Sequence, residues 1–163
     1  MRKISIAAVV LVILAGACKK SDTRCDYDQC SPKAPTGQIA ELTDYLTRKG
    51  IINNVVMHCS GMYYQIIAPG TESTPGVCSF IDVNYKGTDT SGTVFGQTTS
   101  ASGPLRDLFL DEAIEGWKKG IPLIKKGGII KLYIPPALAY PQERPGIPFN
   151  SILIFEVELV DIK

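Results

Sequence analysis

Three stretches of the chain alternate apolar and polar residues with a period of two, the mark of a β-strand half-buried against a core. In CSFIDVNYKG, Ile81, Val83 and Tyr85 take one face while Asp82 and Asn84 take the other. In IIKLYIPP the inner set is Ile130, Leu132 and Ile134. In SILIFEVELVDIK it is Leu153, Phe155, Val157 and Leu159, with Glu156 and Glu158 facing out. GMYYQIIAPG reads as a further strand closed by a turn. Two segments follow helical spacing instead. Around Asp111–Lys119, Ala113, Ile114, Trp117 and Ile121 form one stripe, with acids at the front and lysines at the back to suit the helix dipole. In GQIAELTDYLTRKG, Ile39, Leu42 and Leu46 recur with Tyr45 beside them, and Gly50 after Arg48 and Lys49 supplies a stop. The pattern predicts an α+β fold. A curved antiparallel sheet of about five strands, wet on one face, wraps one short helix, and an extra N-terminal helix packs on the domain.

The chain begins differently. Arg2 and Lys3 precede an apolar run from Ile4 to Leu14 that is too short for a stable membrane span. Ala15, Gly16, Ala17 and Cys18 follow. This resembles a bacterial lipoprotein signal, cleaved before Cys18 with a lipid placed on that thiol, although Ala15 stands where such signals prefer leucine. An ordinary secretory signal with an incidental cysteine is the competing reading. Residues 19–36 (KKSDTRCDYDQCSPKAPT) are polar and proline-bearing, as suits a tether. The expected divisions are a signal at 1–17, a tether at 18–36, an N-terminal helical segment at 37–58 and the main domain at 59–163.

Cysteine usage agrees with export. Five cysteines are present, and lipidation of Cys18 leaves Cys25, Cys30, Cys59 and Cys78 to pair in an oxidising compartment. Of the three possible connectivities, Cys25–Cys30 with Cys59–Cys78 is the favoured one. His58 adjoins Cys59 but is the only histidine, and no CxxC occurs, so no metal site is expected and His58 reads as a surface or loop residue. The net charge of +1 gives no basis for nucleic-acid binding.

Chemical groups are scarce where the strand and helix patterns converge. One histidine outside that region argues against Ser-His-Asp or Cys-His catalysis. Gly127-Gly128 opens a strand rather than a helix, so it is no phosphate cradle, and no cofactor is implied. What remains is aromatic: Tyr85, Trp117, Tyr140 and Phe155 fall on inner faces or at strand ends near one helix. Taken singly, Trp117 and Phe155 read as core, whereas Tyr140 follows Pro135-Pro136 in a loop, where packing explains less.

The order of motifs carries more. VNYKG at 83–87, TVF at 93–95, GWKKG at 116–120, KLYIPPALAY at 131–140 and GIPFNSILIFEVEL at 146–159 together resemble the FKBP-type peptidyl-prolyl isomerases over roughly residues 60–163. The resemblance implies that family's antiparallel sheet wrapped around a short helix. It also implies a shallow pocket floored by Trp117 for a substrate proline ring, walled by Tyr85, Phe95 and Phe155. Ile114 would offer its backbone N–H to a substrate carbonyl with Ala113 beside it. Tyr140 would donate its hydroxyl hydrogen to another carbonyl, and Ile147 would sit on the lip. The implied partners are proline-containing polypeptides, with macrolides as inhibitors, and the membrane is reached through the lipid on Cys18.

Departures from the family pattern are specific. Gly96 stands where an aspartate usually follows Phe95, Leu105 is the nearest match to an aromatic wall residue, and Pro141 replaces a glycine. PQERPG at 141–146 is shorter than in many members, and the position there that often carries histidine or an aromatic is missing. The sequence therefore predicts a lipid-anchored isomerase on the outer-membrane side of the cell envelope that assists folding of exported proteins. The alternatives are a module that grips proline segments with little catalysis, and a structural domain whose pocket is filled.

Overall fold

The computed structural model describes residues 25–140 and 142–163; the signal at 1–17, Cys18 and Pro141 lie outside the described residues. In chain order come helix α1 (Thr36–Arg48), strands β1 (Val56–Met57), β2 (Tyr63–Ala68), β3 (Phe80–Thr88), β4 (Val94–Gln97) and β5 (Leu105–Phe109), helix α2 (Glu115–Gly120), and strands β6 (Ile129–Ile134) and β7 (Leu153–Ile162). The strands form one seven-stranded antiparallel sheet in the order β1-β2-β6-β7-β3-β4. β5 pairs with the first half of β3, along the edge whose second half β4 occupies. Seven strands stand where about five were expected: the pattern marked β2, β3, β6 and β7, whereas β1 is exposed at both residues and β4 and β5 are short runs with no alternation of burial.

The inner face holds the main core. Ile81, Val83, Ile130, Leu132, Ile134, Val157 and Leu159 are fully buried, and α2 lies across them. Its approach depends on the two glycines of GWKKG. A Cβ on Gly116 would drive into Ile134, and one on Gly120 into Leu132. The helix is six residues long, shorter than the sequence pattern suggests, because a 3-10 turn at Leu110–Glu112 leads into it.

The outer face is not uniformly wet. Leu42 and Leu46 of α1 are buried against Tyr63, Tyr133 and Ile154, a second small core on the far side of the sheet. Thr43 Oγ1 lies 3.0 Å from the Tyr63 hydroxyl, fixing helix to strand. Gly50 closes α1 at φ 70°, the left-handed region that glycine enters without Cβ strain.

Asp82 departs from the alternation that placed it outside. It sits at a bulge in the ladders of β3 with β5 and β7, and its side chain is only 5% exposed. Its Oδ1 accepts from the Asp107 N–H at 2.8 Å and from Lys163 Nζ at 3.0 Å. These contacts, the Asp107 amide foremost, hold its carboxyl below the usual carboxylate range. A depressed folded-state pKa stabilises the fold fully above the unfolded value near 4, and that contribution fades as pH falls through the folded value. Asp82→Ala is therefore expected to cost about 1–3 kcal/mol at pH 7, with the Asp107 amide left unsatisfied. The gap to wild type should narrow at pH 3. Urea midpoints at the two pH values check this, and an equal gap at both would exclude an ionised role.

Two further findings correct the sequence reading. The disulfides are Cys25–Cys78 and Cys30–Cys59, with Cα–Cα distances of 5.4 and 5.1 Å, not Cys25–Cys30 and Cys59–Cys78. Proximity in sequence does not decide pairing. Cys78 lies in the turn just before β3 and Cys59 in the turn after β1, and the chain from 25 to 30 reaches both. Residues 25–35, read as part of a tether, are accordingly strapped onto the domain. Tyr27 donates its hydroxyl hydrogen to Glu115 at 2.6 Å, and fully buried Lys119 donates to the Tyr27 hydroxyl at 2.8 Å and to the Ser31 carbonyl at 2.7 Å. The strap thus supplies acceptors to an ammonium that would otherwise be buried without enough of them. His58 is half-buried, its Nδ1 2.9 Å from Ser60 Oγ.

Candidate active site

Where β3, β4, β7 and α2 meet, four aromatic rings stand edge to face around a hollow of about 580 Å³. Trp117, on α2 and almost wholly buried, lies 5.5 Å from Tyr85 and 5.4 Å from Phe155 between ring centroids, at interplanar angles of 74° and 84°. Phe95 meets Phe155 at 5.4 Å and 81°. Such T-shaped contacts place the positive edge of one ring on the negative face of the next, so the rings brace one another rather than collapse flat. Gly87 makes room for the arrangement: a Cβ there would stand 2.6 Å from Phe95 Cζ and 3.0 Å from Phe155 Cε1.

All nine residues singled out from sequence line this one hollow: Tyr85, Phe95, Leu105, Ala113, Ile114, Trp117, Tyr140, Ile147 and Phe155. Leu105 stands at its exposed margin, and Leu108 of the same strand adds apolar wall. Sequence reasoning missed Leu108, Glu112, Ala139, Arg144 and Pro145, which also line it. Loop positions such as Arg144 carry no periodicity that could have announced them.

The polar groups are few and placed by the backbone. Ile114 precedes α2 in an extended conformation (ψ 152°), and its carbonyl accepts from Trp117 and Lys118. Its own N–H lies outside the intrahelical ladder and has no acceptor among the described residues. Tyr140 follows the 3-10 turn Pro136–Leu138. Burial raises its hydroxyl above the ordinary tyrosine value, with Arg144 opposing, so it stays a protonated donor at neutral pH. The Gln38 side chain of α1 accepts from the Ala137 N–H at 2.9 Å, bracing the approach to Tyr140 from the N-terminal helix. At Gly96 a Cβ would stand 3.2 Å from the Tyr85 hydroxyl, so the missing side chain is one that would face that group. The Trp117 Nε1 is buried without a partner among the described residues. A ring-lined hollow with a few separate polar groups, and no nucleophile paired with a base among the described residues, suits binding and conformational work rather than bond cleavage.

The sequence matches the FKBP-type peptidyl-prolyl cis-trans isomerase family over residues 71–160. An isomerase of that type, FkpA of Escherichia coli, is 46% identical over 105 residues, covering 64% of this chain and 38% of the relative. FkpA of Aeromonas hydrophila is 34% identical over 121 residues, covering 74% of this chain and 45% of the relative. The chain thus spans less than half the length of these curated relatives. The crystal structure of FkpA from Escherichia coli superposes with a TM-score of 0.70 at 40% identity, covering 78% of this chain and 60% of that one. That of a peptidyl-prolyl cis-trans isomerase from Pseudomonas syringae superposes with a TM-score of 0.64 at 27% identity, covering 80% of this chain and 98% of that one. With the family matched across more than half of its residues, and the antiparallel sheet closed around a short tryptophan-bearing helix, this chain belongs to the FKBP-type peptidyl-prolyl cis-trans isomerases.

Proposed function

We propose that the chain catalyses rotation about X-Pro peptide bonds, with Trp117 flooring the hollow that takes the proline ring and Tyr85, Phe95 and Phe155 walling it. The observation that carries this reading is the hollow itself, ring-lined and open, with two unengaged donors at its rim. Rotation about a peptide bond faces a barrier of ~18–20 kcal/mol, because amide resonance is lost at the twisted geometry. Losing resonance also removes charge from the carbonyl oxygen. A water-poor, aromatic site therefore raises the planar amide relative to the twisted one, which is differential binding of the transition state. The Ile114 N–H and the Tyr140 O–H hold neighbouring carbonyls so that the twist falls on the imide bond. Neither group transfers a proton, so the reaction asks for no acid–base pair.

A Leu-Pro tetrapeptide followed by exchange NMR tests this. Wild type accelerates the cis–trans interchange, and Tyr140→Phe lowers kcat/KM about tenfold, the value of one hydrogen bond worth about 1.4 kcal/mol in the transition state. No acceleration by wild type would overturn the enzyme reading. Gly96, which leaves the Tyr85 hydroxyl without a facing side chain, favours a second reading as a proline-segment-binding module with little catalysis. Peptide binding without turnover distinguishes it.

The setting of this activity is the cell envelope, where the chain, anchored by a lipid on Cys18, acts on exported polypeptides. The lipoprotein-like start of the sequence and the two disulfides support that setting. The mass of the mature amino-terminal fragment tests the anchor, which an unacylated cysteine would sink.

A further inference from the structure

The loop between Tyr140 and β7 brings one cation to the hollow. Among the described residues that line it, Arg144 alone is basic. Two contacts place it. Its carbonyl accepts from the Ile147 N–H at 3.1 Å, closing a turn, and its guanidinium carbon stands 4.5 Å from the centroid of the Tyr140 ring. Stacked on a ring that is itself part of the lining, the guanidinium is aimed before any substrate arrives.

Among the described residues Arg144 forms no ion pair, whereas Arg106, Lys118, Lys119, Lys126 and Lys163 all do. Three carboxylates line hollows that Arg144 also lines. Glu112 lines the same hollow without pairing with it. Glu143 shares two adjoining outer hollows with Arg144 and Asp89 shares one of them, but neither lines the ring-lined hollow. The cation therefore faces the space that a bound peptide would fill.

Resting on the isomerase reading, we propose that Arg144 is a specificity-determining residue, giving this hollow a preference for proline segments with an Asp or Glu next to the proline. A peptide whose proline ring sits over Trp117 must pass the Tyr140 lip. A carboxylate beside the proline there meets a preorganised guanidinium that offers two parallel N–H donors, and an ammonium meets repulsion. Partial exclusion of water by the aromatic walls weakens screening of both effects.

The test uses the full chain and two pairs of tetrapeptides followed by exchange NMR, Glu-Pro against Lys-Pro and Pro-Glu against Pro-Lys, with a Leu-Pro peptide as reference. The expected result is a kcat/KM ratio of about fivefold for Glu over Lys in at least one pair. That ratio should collapse to about one in Arg144→Gln and in ~1 M salt, and persist in Glu143→Gln. Ratios near one for wild type in both pairs, or a preference that survives Arg144→Gln, would overturn the assignment. Failure of wild type to turn over the Leu-Pro reference sinks the isomerase reading instead. The same peptide pairs, titrated by chemical shift, then carry the specificity test as ratios of Kd.

Discussion

Phe155→Ala is expected to lower kcat/KM on a Leu-Pro peptide about a hundredfold, the effect of displacing a positioned group by an ångström or so. It is also expected to cost about 3–5 kcal/mol of stability. Both losses have one origin. Phe155 is 2% exposed, supports Phe95 and Trp117 through edge-to-face contacts, and lies over Gly87. Removing its ring opens a cavity in the core and withdraws a wall of the hollow at once. A second substitution separates the two roles. Phe155→Leu keeps most of the volume and is expected to cost less than about 1.5 kcal/mol. It still removes the flat face against which Trp117 stands, so turnover should fall about tenfold. Urea denaturation and exchange NMR on both variants decide the matter. Wild-type turnover in Phe155→Leu would make the ring a packing residue and nothing more.

Reduction of both disulfides is expected to lower stability by about 3–4 kcal/mol per bridge, by the chain-entropy estimate for loops of this length. The bridges span 53 and 29 residues, so each removes considerable freedom from the unfolded chain. Reduction also unfastens residues 25–35. Lys119 then loses two acceptors, the Tyr27 hydroxyl and the Ser31 carbonyl, and keeps only Glu115, whose Oε2 is 3.5 Å away. Burial already lowers the Lys119 pKa, so the ammonium is poorly tolerated there without its partners. Because α2 also carries Trp117, a loosened strap should be felt in the hollow. Urea midpoints with and without reductant measure the effect. A shift worth less than about 1 kcal/mol in total would show that the strap contributes nothing beyond covering the surface.

Much of the fold was legible in the sequence. The alternation in β3, β6 and β7 placed Ile81, Val83, Ile130, Leu132, Ile134, Val157 and Leu159 inside, and they are there. The helical spacing of Leu42 and Leu46 marked α1 as a packed helix, and both residues are fully buried. The nine residues proposed for the site converge on one hollow: periodicity set the faces that carry Tyr85, Ala113, Ile114, Trp117 and Phe155, whereas Phe95, Leu105, Tyr140 and Ile147 were placed by the order of the family motifs. Legibility failed wherever a residue's environment comes from another element. Asp82 read as a wet-face residue, yet a bulge and the Asp107 amide bury it. Tyr133 and Ile154 fell on the face expected to be wet, and α1 covers them.

By itself the sequence determined strands β2, β3, β6 and β7, the two helices and their buried faces, because periodicity is a local property, and the order of its motifs pointed to the aromatic residues of the hollow. Only the tertiary structure decided which cysteines pair, why Lys119 is buried, how α1 braces the loop before Tyr140, and that Arg144 faces the hollow. Each of these depends on segments 29 to 99 residues apart meeting in space or on the path of an irregular loop. No pattern along the chain encodes such meetings, which arise from the packing of the whole.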